Sequence, residues 1–471
     1  MAGHSFDAVN LISDPIHGYV ELTKRLSRAE SGALGLPDED AAEDDLIDTA
    51  WVQRLRRISQ LQSARWVFPT AEHSRFTHGL GVMHEAGLWA RALYPSLRGA
   101  LRAVDGPASA VPSEGLVVET LRVAGLLHDV GHGPFAHYFD EHVLHAFEAP
   151  PDPRRPAGKR LSHEDLSQLI IERELGDLIS SLRRAPGAVP ERDALADHER
   201  IDPRAIAFLV SKPALDDPTM PRWVRWLQPL LSGVFTVDNL DYVRRDAFMT
   251  GVATGPVDVE RLRRYAFISE RGLTLYESGV GALEMFLTAR LFLYQQVYFH
   301  RTVRAIDLDL AEVFAPSIRA LFGGGSPADR LDAFADLDEY ALLHQAARWA
   351  RGQDVAAAAE PPPGEERVSP AVADAWRAIL LRRPRWHSAR EVRIEYEAGA
   401  YPTVAVATLG DGEPGRVAID LSIVDARPAA AGATDALLAI EARDGTTEMR
   451  PSLALARLPA YALIGRRYER V

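Results

Sequence analysis

The chain has 471 residues, 47% hydrophobic and 25% charged, with a formal net charge of -13 and no cysteine. That size suits one large domain plus a smaller one. The acidic balance argues against broad binding to duplex nucleic acid, and the missing cysteine excludes disulfides and thiolate-ligated zinc.

The N-terminus MAGHSFDAVN lacks the basic and apolar regions of a secretory leader, and no window of about 18 uninterrupted apolar residues marks a membrane span. A cytoplasmic protein is the expectation. Residues 14–22, DPIHGYVEL, read as a turn followed by a short strand. From Asp48 the pattern turns helical, with Trp51, Val52, Leu55, Ile58 and Leu61 at spacings of three and four and Asp48-Thr49 as N-cap. A second helix begins near His78. Gly115–Val130 is an apolar helix that ends in His128–Asp129, with Gly131 and Gly133-Pro134 behind it. The proline- and arginine-rich stretch 149–160 reads as a loop, and 183–200 as a mobile one. Helical periodicity returns at 162–182, 222–246 and 278–321. Residues 351–369, rich in alanine and proline, form the expected linker. Beyond it VRIEYEAG, TVAVATLG and RVAIDLSIV look like strands. The expected fold class is mostly α: a helical body over 1–350 and a smaller α+β C-terminal domain over 370–471.

The chemistry sits in dispersed histidines and aspartates. His78 lies in RFTHGLGV, His128–Asp129 in LLHDVGHGPFAH and Asp238 in FTVDNLDYVRRD. Two imidazoles and two carboxylates can hold one divalent cation and leave positions open for water and substrate. An open site of that kind suits phosphoester hydrolysis, because it acidifies water and polarises a phosphoryl oxygen. His142 and His145 read instead as a solvated helical face.

The blocks DPIHGYVEL, DTAWVQRLRRISQL, WVFPTAEHSRFTHGLGV, LLHDVGHGPFAH, SHEDLS, VDNLDYVRRD and MFLTARLFLYQQVYFHR follow one another between residues 14 and 308. In that order they resemble the HD-domain phosphohydrolases, and among them the deoxynucleoside triphosphate triphosphohydrolases. The C-terminal part carries no matching motif. The resemblance implies a divalent metal (Mn, Mg, Fe or Zn) held by His78, His128, Asp129 and Asp238. It implies that His132 faces the α-phosphate and that His137 is the general acid for the departing 5′ oxygen. His163 is then the third histidine, with Glu164 and Asp140 orienting these imidazoles. Arg75 and Arg290 match phosphate-binding arginines. Gln60, Leu61, Tyr242 and Asp246 match sugar-recognising residues, the tyrosine packing against the 2′ carbon, and Tyr298 matches a substrate-side tyrosine.

Asp48, Gln53 and Arg56 match residues that read a regulatory guanine nucleotide, so the resemblance also implies a guanine-nucleotide activator and a homo-oligomer, dimer or tetramer. Two departures qualify this picture. Asn239 stands where eukaryotic relatives carry a lysine for the triphosphate, and Asn10 stands near an expected phosphate-binding lysine. The residues alone also allow plainer readings: a helix cap at Asp48, a solvated Arg56, a half-buried Tyr242, and ion pairs at Arg75 and Arg290. The implied activity is metal-dependent hydrolysis of deoxynucleoside triphosphates, dGTP among them, to deoxynucleoside and inorganic triphosphate. Two alternatives stay open: an HD hydrolase acting on a signalling, cyclic or monophosphate nucleotide, and a nucleotide sensor without turnover.

Overall fold

The computed structural model describes residues 8–34, 41–106, 110–152, 157–187, 190–211, 219–356, 367–396, 408–410, 415–425, 437–451 and 461–470. Residues 357–366 of the expected linker, 153–156 of the arginine- and proline-rich loop and 403–407 of the expected strand TVAVATLG lie outside them. The architecture is mostly helical, with a smaller strand-containing C-terminal region. Among the described residues no helix is long and apolar enough to cross a membrane.

The chain opens with an antiparallel hairpin of β1 (Val9–Asp14) and β2 (Gly18–Thr23), Asp14 standing opposite Gly18. Only its second strand was legible in the sequence. The helix expected from Asp48 onward is short. Thr49 caps α1 (Ala50–Arg54), a 3-10 turn runs to Arg57, and Ile58 is already extended at φ -123° and ψ 118°. Here bonds across space replace helical ones: Arg75 N–H donates to Ile58 O (2.9 Å) and Gln60 N–H to His73 O (3.0 Å). The apolar spacing therefore reports burial, since Val52, Leu55, Ile58 and Leu61 are all in the core, and not one continuous helix.

Two helices form the centre: α2 (Arg75–Asp105), which starts at Arg75 and runs for 31 residues, and α3 (Glu114–Leu127). Their backbones meet closely, because a Cβ on Gly125 would lie 2.9 Å from Val82 O and 3.1 Å from Met83 Cα. Around this pair lie α4 (His137–His142), α5 (His163–Leu169), α6 (Val237–Thr250), α7 (Val280–Leu293), α8 (Arg301–Phe322), α9 (Glu339–Trp349) and α10 (Pro370–Leu380). Trp89, Trp349 and Trp376 are among the largest fully buried side chains. The stretch expected to be a mobile loop, 183–200, is folded where described. Arg184 is buried and donates to Lys24 O (2.9 Å) and Ala8 O (3.1 Å), and a bridge links Arg184 to Ala194.

The strands β3 (Ala266–Ser269) and β4 (Gly272–Tyr276) form a hairpin in the helical body. Beyond α10 come β5 (Trp386–Tyr396), β6 (Val417–Asp425), β7 (Leu437–Glu441), β8 (Thr447–Pro451) and β9 (Tyr461–Arg470). One sheet has the order β3-β4-β7-β8, so β7 adds in parallel to a strand of the body, with Thr274 opposite Ala439. The other, β5-β9-β6, is fastened to the start of α8. Arg304 Nη2 donates to Asp420 (2.7 Å), Tyr468 OH to Arg301 O (2.9 Å) and Arg466 Nη1 to Phe299 O (2.6 Å).

Gly125→Val should force α2 and α3 apart and cost about 1–3 kcal/mol, as overpacking in a filled core does. Urea unfolding measures it.

Candidate active site

The four candidate ligands are delivered by helix ends. Asp238 stands in the first turn of α6, where Thr236 and Asn239 form a reciprocal cap: Thr236 N–H donates to Asn239 Oδ1 (2.7 Å) and Asn239 N–H to Thr236 Oγ1 (3.1 Å). The helical period then aligns Asp238, Asp241, Tyr242, Arg245 and Asp246 on one face. His78 comes from the first turns of α2, and His128–Asp129 from the end of α3.

The structure brings His78, His128, Asp129 and Asp238 together. His78 Nε2 lies 3.2 Å from Asp238 Oδ1 and 4.0 Å from Asp129 Oδ2. His128 Nε2 lies 3.2 Å from Asp129 Oδ1 and 3.8 Å from Asp238 Oδ1. The outer nitrogens are committed elsewhere: His78 Nδ1 bonds Asp241 Oδ2 and His128 Nδ1 bonds Gly125 O, both at 2.8 Å. Both Nε2 atoms are buried without a hydrogen-bond partner. A pair of inward imidazole nitrogens beside two carboxylates fits a divalent cation. The electrostatics agree. Burial opposes charge on His78, yet Asp238 and Asp241 overcome it and push its pKa up to about 10. Burial would raise Asp238, but His78 and His128 bring it down to about 2. The centre thus demands positive charge, which a proton on His78 or a cation among these donors can provide.

A second cluster lies beside the first. His132 is buried, its Nε2 3.3 Å from Asp129 Oδ1, and its ring stacks on His163 at 3.7 Å between centroids. His137 meets His132 edge-on at 4.8 Å and, with 65% of its side chain exposed, faces the open space. Asp140 accepts from His163 Nδ1 and lies 3.8 Å from His137 Nδ1. Glu164 approaches His163 Nε2 to 3.6 Å. Burial, then Arg75 and His163, hold the pKa of His132 well below its usual range. Burial opposes a proton on His163 too, but Asp140 and Glu164 raise its pKa. One ring of the stack is kept neutral while the other favours a proton. Only glycine at 131 permits this stack, because a Cβ there would collide with His163 O and Ser167 N. His137 leaves a strained loop, with φ at +58° for Phe135 and +48° for Ala136.

Both clusters border a cavity of about 430 Å³, into which His128, Asp129, Asp238, His137, His163 and Glu164 project. Gln60, Leu61, Arg75, Tyr242, Asp246, Arg290 and Tyr298 line it as well. Arg75 Nη1 donates to Asp129, which lies well below the usual carboxylate range: burial alone would raise it, and Arg75, His128 and His132 outweigh that. Arg290 Nε donates to Tyr242 OH (3.1 Å). Tyr298 OH donates to Asp246, whose other oxygen holds His73 Nε2 at 2.8 Å.

Asp48, Gln53 and Arg56 do not line the cavity. Gln53 Nε2 donates to Ile47 O (2.9 Å) and Arg56 Nε to Gln53 Oε1 (2.7 Å), while Arg56 stacks over Phe76 at 3.6 Å. Asn10 bonds Asp44. Asn239 borders the cavity with its side-chain carbonyl already held by Thr236. His142 is not simply solvated, since its half-buried ring packs on Tyr138 at 4.1 Å; His145 is exposed. Sequence reasoning overlooked Asp241, Arg245, His17 and His73. The first two share the face of α6 with Asp238, a spacing that could have revealed them. His17 lies in DPIHGYVEL, where the local pattern signals only a turn and a strand.

A family model described as HD domain matches residues 75–206, and one described as HD associated region matches residues 257–355. The chain carries an HD domain. Asp238 falls between the two matched stretches. Among curated relatives, this HD-domain chain is 32% identical over 307 residues to Uncharacterized protein YwfO of Bacillus subtilis, covering 64% of this chain and 54% of that one. It is 29% identical over 356 residues to deoxynucleoside triphosphate triphosphohydrolase SAMHD1 of Homo sapiens, covering 72% of this chain and 50% of the relative. The chain thus spans about half the length of the curated relatives it matches. Among solved structures, a hypothetical protein from Aquifex aeolicus shares the fold with a TM-score of 0.65 at 23% identity, over 98% of this chain and 96% of that one. A phosphohydrolase from Bacteroides thetaiotaomicron does so with a TM-score of 0.62 at 19% identity, over 98% of this chain and 100% of that one.

Ala136→Gly should stabilise the protein. The backbone strain it relieves costs about 1–3 kcal/mol, against about 0.5–1 kcal/mol for glycine's extra freedom in the unfolded chain. A higher urea midpoint is the expected reading.

Proposed function

We propose that this chain is a metal-dependent deoxynucleoside triphosphate triphosphohydrolase, releasing deoxynucleoside and inorganic triphosphate, with dGTP among its substrates. The observation that carries this reading is a cation-ready His/Asp centre, a proton-holding histidine cluster and two arginines, all bordering one cavity of about 430 Å³. Several relatives are named deoxynucleoside triphosphate triphosphohydrolases, which supports it. A divalent cation held by His78, His128, Asp129 and Asp238 would acidify water and polarise the reacting phosphoryl group.

The chain's own residues do the rest. Arg75 and Arg290 neutralise the phosphate oxygens, Arg75 from beside Asp129 and Arg290 from beside Tyr242. The α-phosphate role of His132 rests on the resemblance alone, since this neutral ring is fully buried and lines no part of the cavity. His137 gives a proton to the departing 5′ oxygen, with Asp140, His163 and Glu164 behind it fixing ring orientation and charge. On the sugar side, Tyr242 is immobilised by Arg290 and closes the space a 2′ hydroxyl would need. Gln60 brings an uncommitted Oε1 toward the 3′ hydroxyl, and Asp246 meets the same group. Leu61 and Tyr298 complete that wall. We extend the reading to the patch of Asp48, Gln53 and Arg56 as a guanine-nucleotide activator site in a homo-oligomer, and to a body over 1–350 joined by 351–369 to a C-terminal domain over 370–471. Asn239 favours a second reading, hydrolysis of a nucleotide with a shorter phosphate chain, because its carbonyl is bound to Thr236 and it brings no charge.

Chromatography of dGTP incubated with Mn²⁺ or Mg²⁺ should show deoxyguanosine and inorganic triphosphate. Chelation should abolish turnover and added metal restore it. Unchanged dGTP, or pyrophosphate as product, rejects the proposal. Asp140→Asn should move the alkaline limb of the kcat/KM profile to lower pH, because Asp140 raises the pKa of His163 and its removal lets the proton leave earlier. An unmoved limb would remove Asp140 from the proton-holding set.

A further inference from the structure

Asp241 is fully buried and lines no part of the cavity. Its two oxygens serve three side chains from three regions of the chain. His78 Nδ1 lies at 2.8 Å, His17 Nε2 at 2.7 Å, and Arg245 Nε and Nη2 at 2.8 and 2.9 Å. Arg245 Nη1 continues to Asp14 Oδ2 (2.8 Å), and Asp14 Oδ1 accepts from the backbone N–H of Ile16 (2.8 Å) and His17 (2.9 Å). Asp14 and His17 frame the turn between β1 and β2. The arrangement is tight, for a Cβ on Gly81 of α2 would collide with both the Asp241 carboxylate and the Arg245 guanidinium.

We propose that this N-terminal turn is a working part of the cation site, acting through Asp241. The carboxylate holds the His78 proton on Nδ1 and fixes the ring plane, so Nε2 offers its lone pair to the ion. His17 and Arg245 in turn hold the carboxylate in one orientation. Asp241 and His17 are positioning residues, since neither touches ion or substrate. Asparagine at 241 would keep the shape but present an amide N–H to one of three donors. Where that N–H faced His78, the ring would adopt its other tautomer and turn a proton toward the ion. This inference rests on the cation ligands proposed above.

The test uses the full chain, stripped with chelator and titrated with Co²⁺, reading affinity by equilibrium dialysis and geometry by the visible spectrum, with thermal melting alongside. Asp241→Asn should weaken Co²⁺ binding about 10–100-fold and shift the visible bands. His17→Ala should weaken it too, and His17→Gln should recover most of the loss, because its amide N–H can reach the same oxygen. His84→Gln is the control: its ring lies 5.0 Å from His17 and makes no bond to Asp241, so wild-type affinity is expected. A folded Asp241→Asn protein with wild-type affinity and spectrum overturns the inference. If that variant does not fold, equal affinities for His17→Ala and His17→Gln overturn it. His78→Ala separates the two levels. Binding unchanged by its loss sinks the ligand assignment itself, whereas binding lost in His78→Ala but intact in Asp241→Asn sinks only the role of Asp241 and the turn.

Discussion

Three ionised carboxylates crowd around His78, and everything else at the centre answers to that concentration of negative charge. Taking an ion out of water costs several kcal/mol unless a partner and hydrogen bonds replace the solvent. Asp129 has Arg75, and Asp241 has Arg245 and His17. Among the described residues the cationic partners of Asp238 are the imidazoles of His78 and His128, and it stays a quarter exposed. The deficit of positive charge therefore falls on Asp238, at the cavity wall. A fold that balanced all three carboxylates internally would have no reason to attract a cation from outside.

Rigid backbone makes this arrangement possible. His78 and His128 approach because Gly125 lets α2 and α3 touch, and His132 stacks on His163 because Gly131 lets α5 approach the end of α3. His137 opens α4 directly after the strained Phe135–Ala136 step, and it alone among these histidines reaches well into solvent. The candidate ligands ride on helix ends, which fix their separation, while the proposed proton donor has freedom to turn.

The sequence revealed what local periodicity and motif spacing encode. The apolar run 115–130 and the His-Asp pair at its helix end were legible, and so was the helical character of 222–246 and 278–321, though the structure breaks each of these into shorter helices. The stretch from 48 to 61 misled because its three- and four-residue spacing reflects burial from two directions, with bonds from Gln60 and Arg75 replacing helical ones. Strand β1 was missed because VNLISD is an edge with mostly outward residues. His17 escaped for another reason: its partner Asp241 lies 224 positions away, and no pattern within a segment encodes such a pairing. The dispersed candidate ligands stand out through blocks that resemble a known family, with help from the residue types and little from spacing.

The second sheet also reaches the cavity. Arg304 stands between Asp307, on the cavity wall, and Asp420 of β6, which is 116 positions further along the chain. Asp307 in turn accepts from Ser63 Oγ at 2.5 Å, and its backbone carbonyl from Tyr138 OH at 2.6 Å. A ligand resting on that wall thus leans on strands that carry no chemistry of their own. Drift in the tail of the chain would surface as a change in what fits the pocket, long before it surfaced as a change in the reaction.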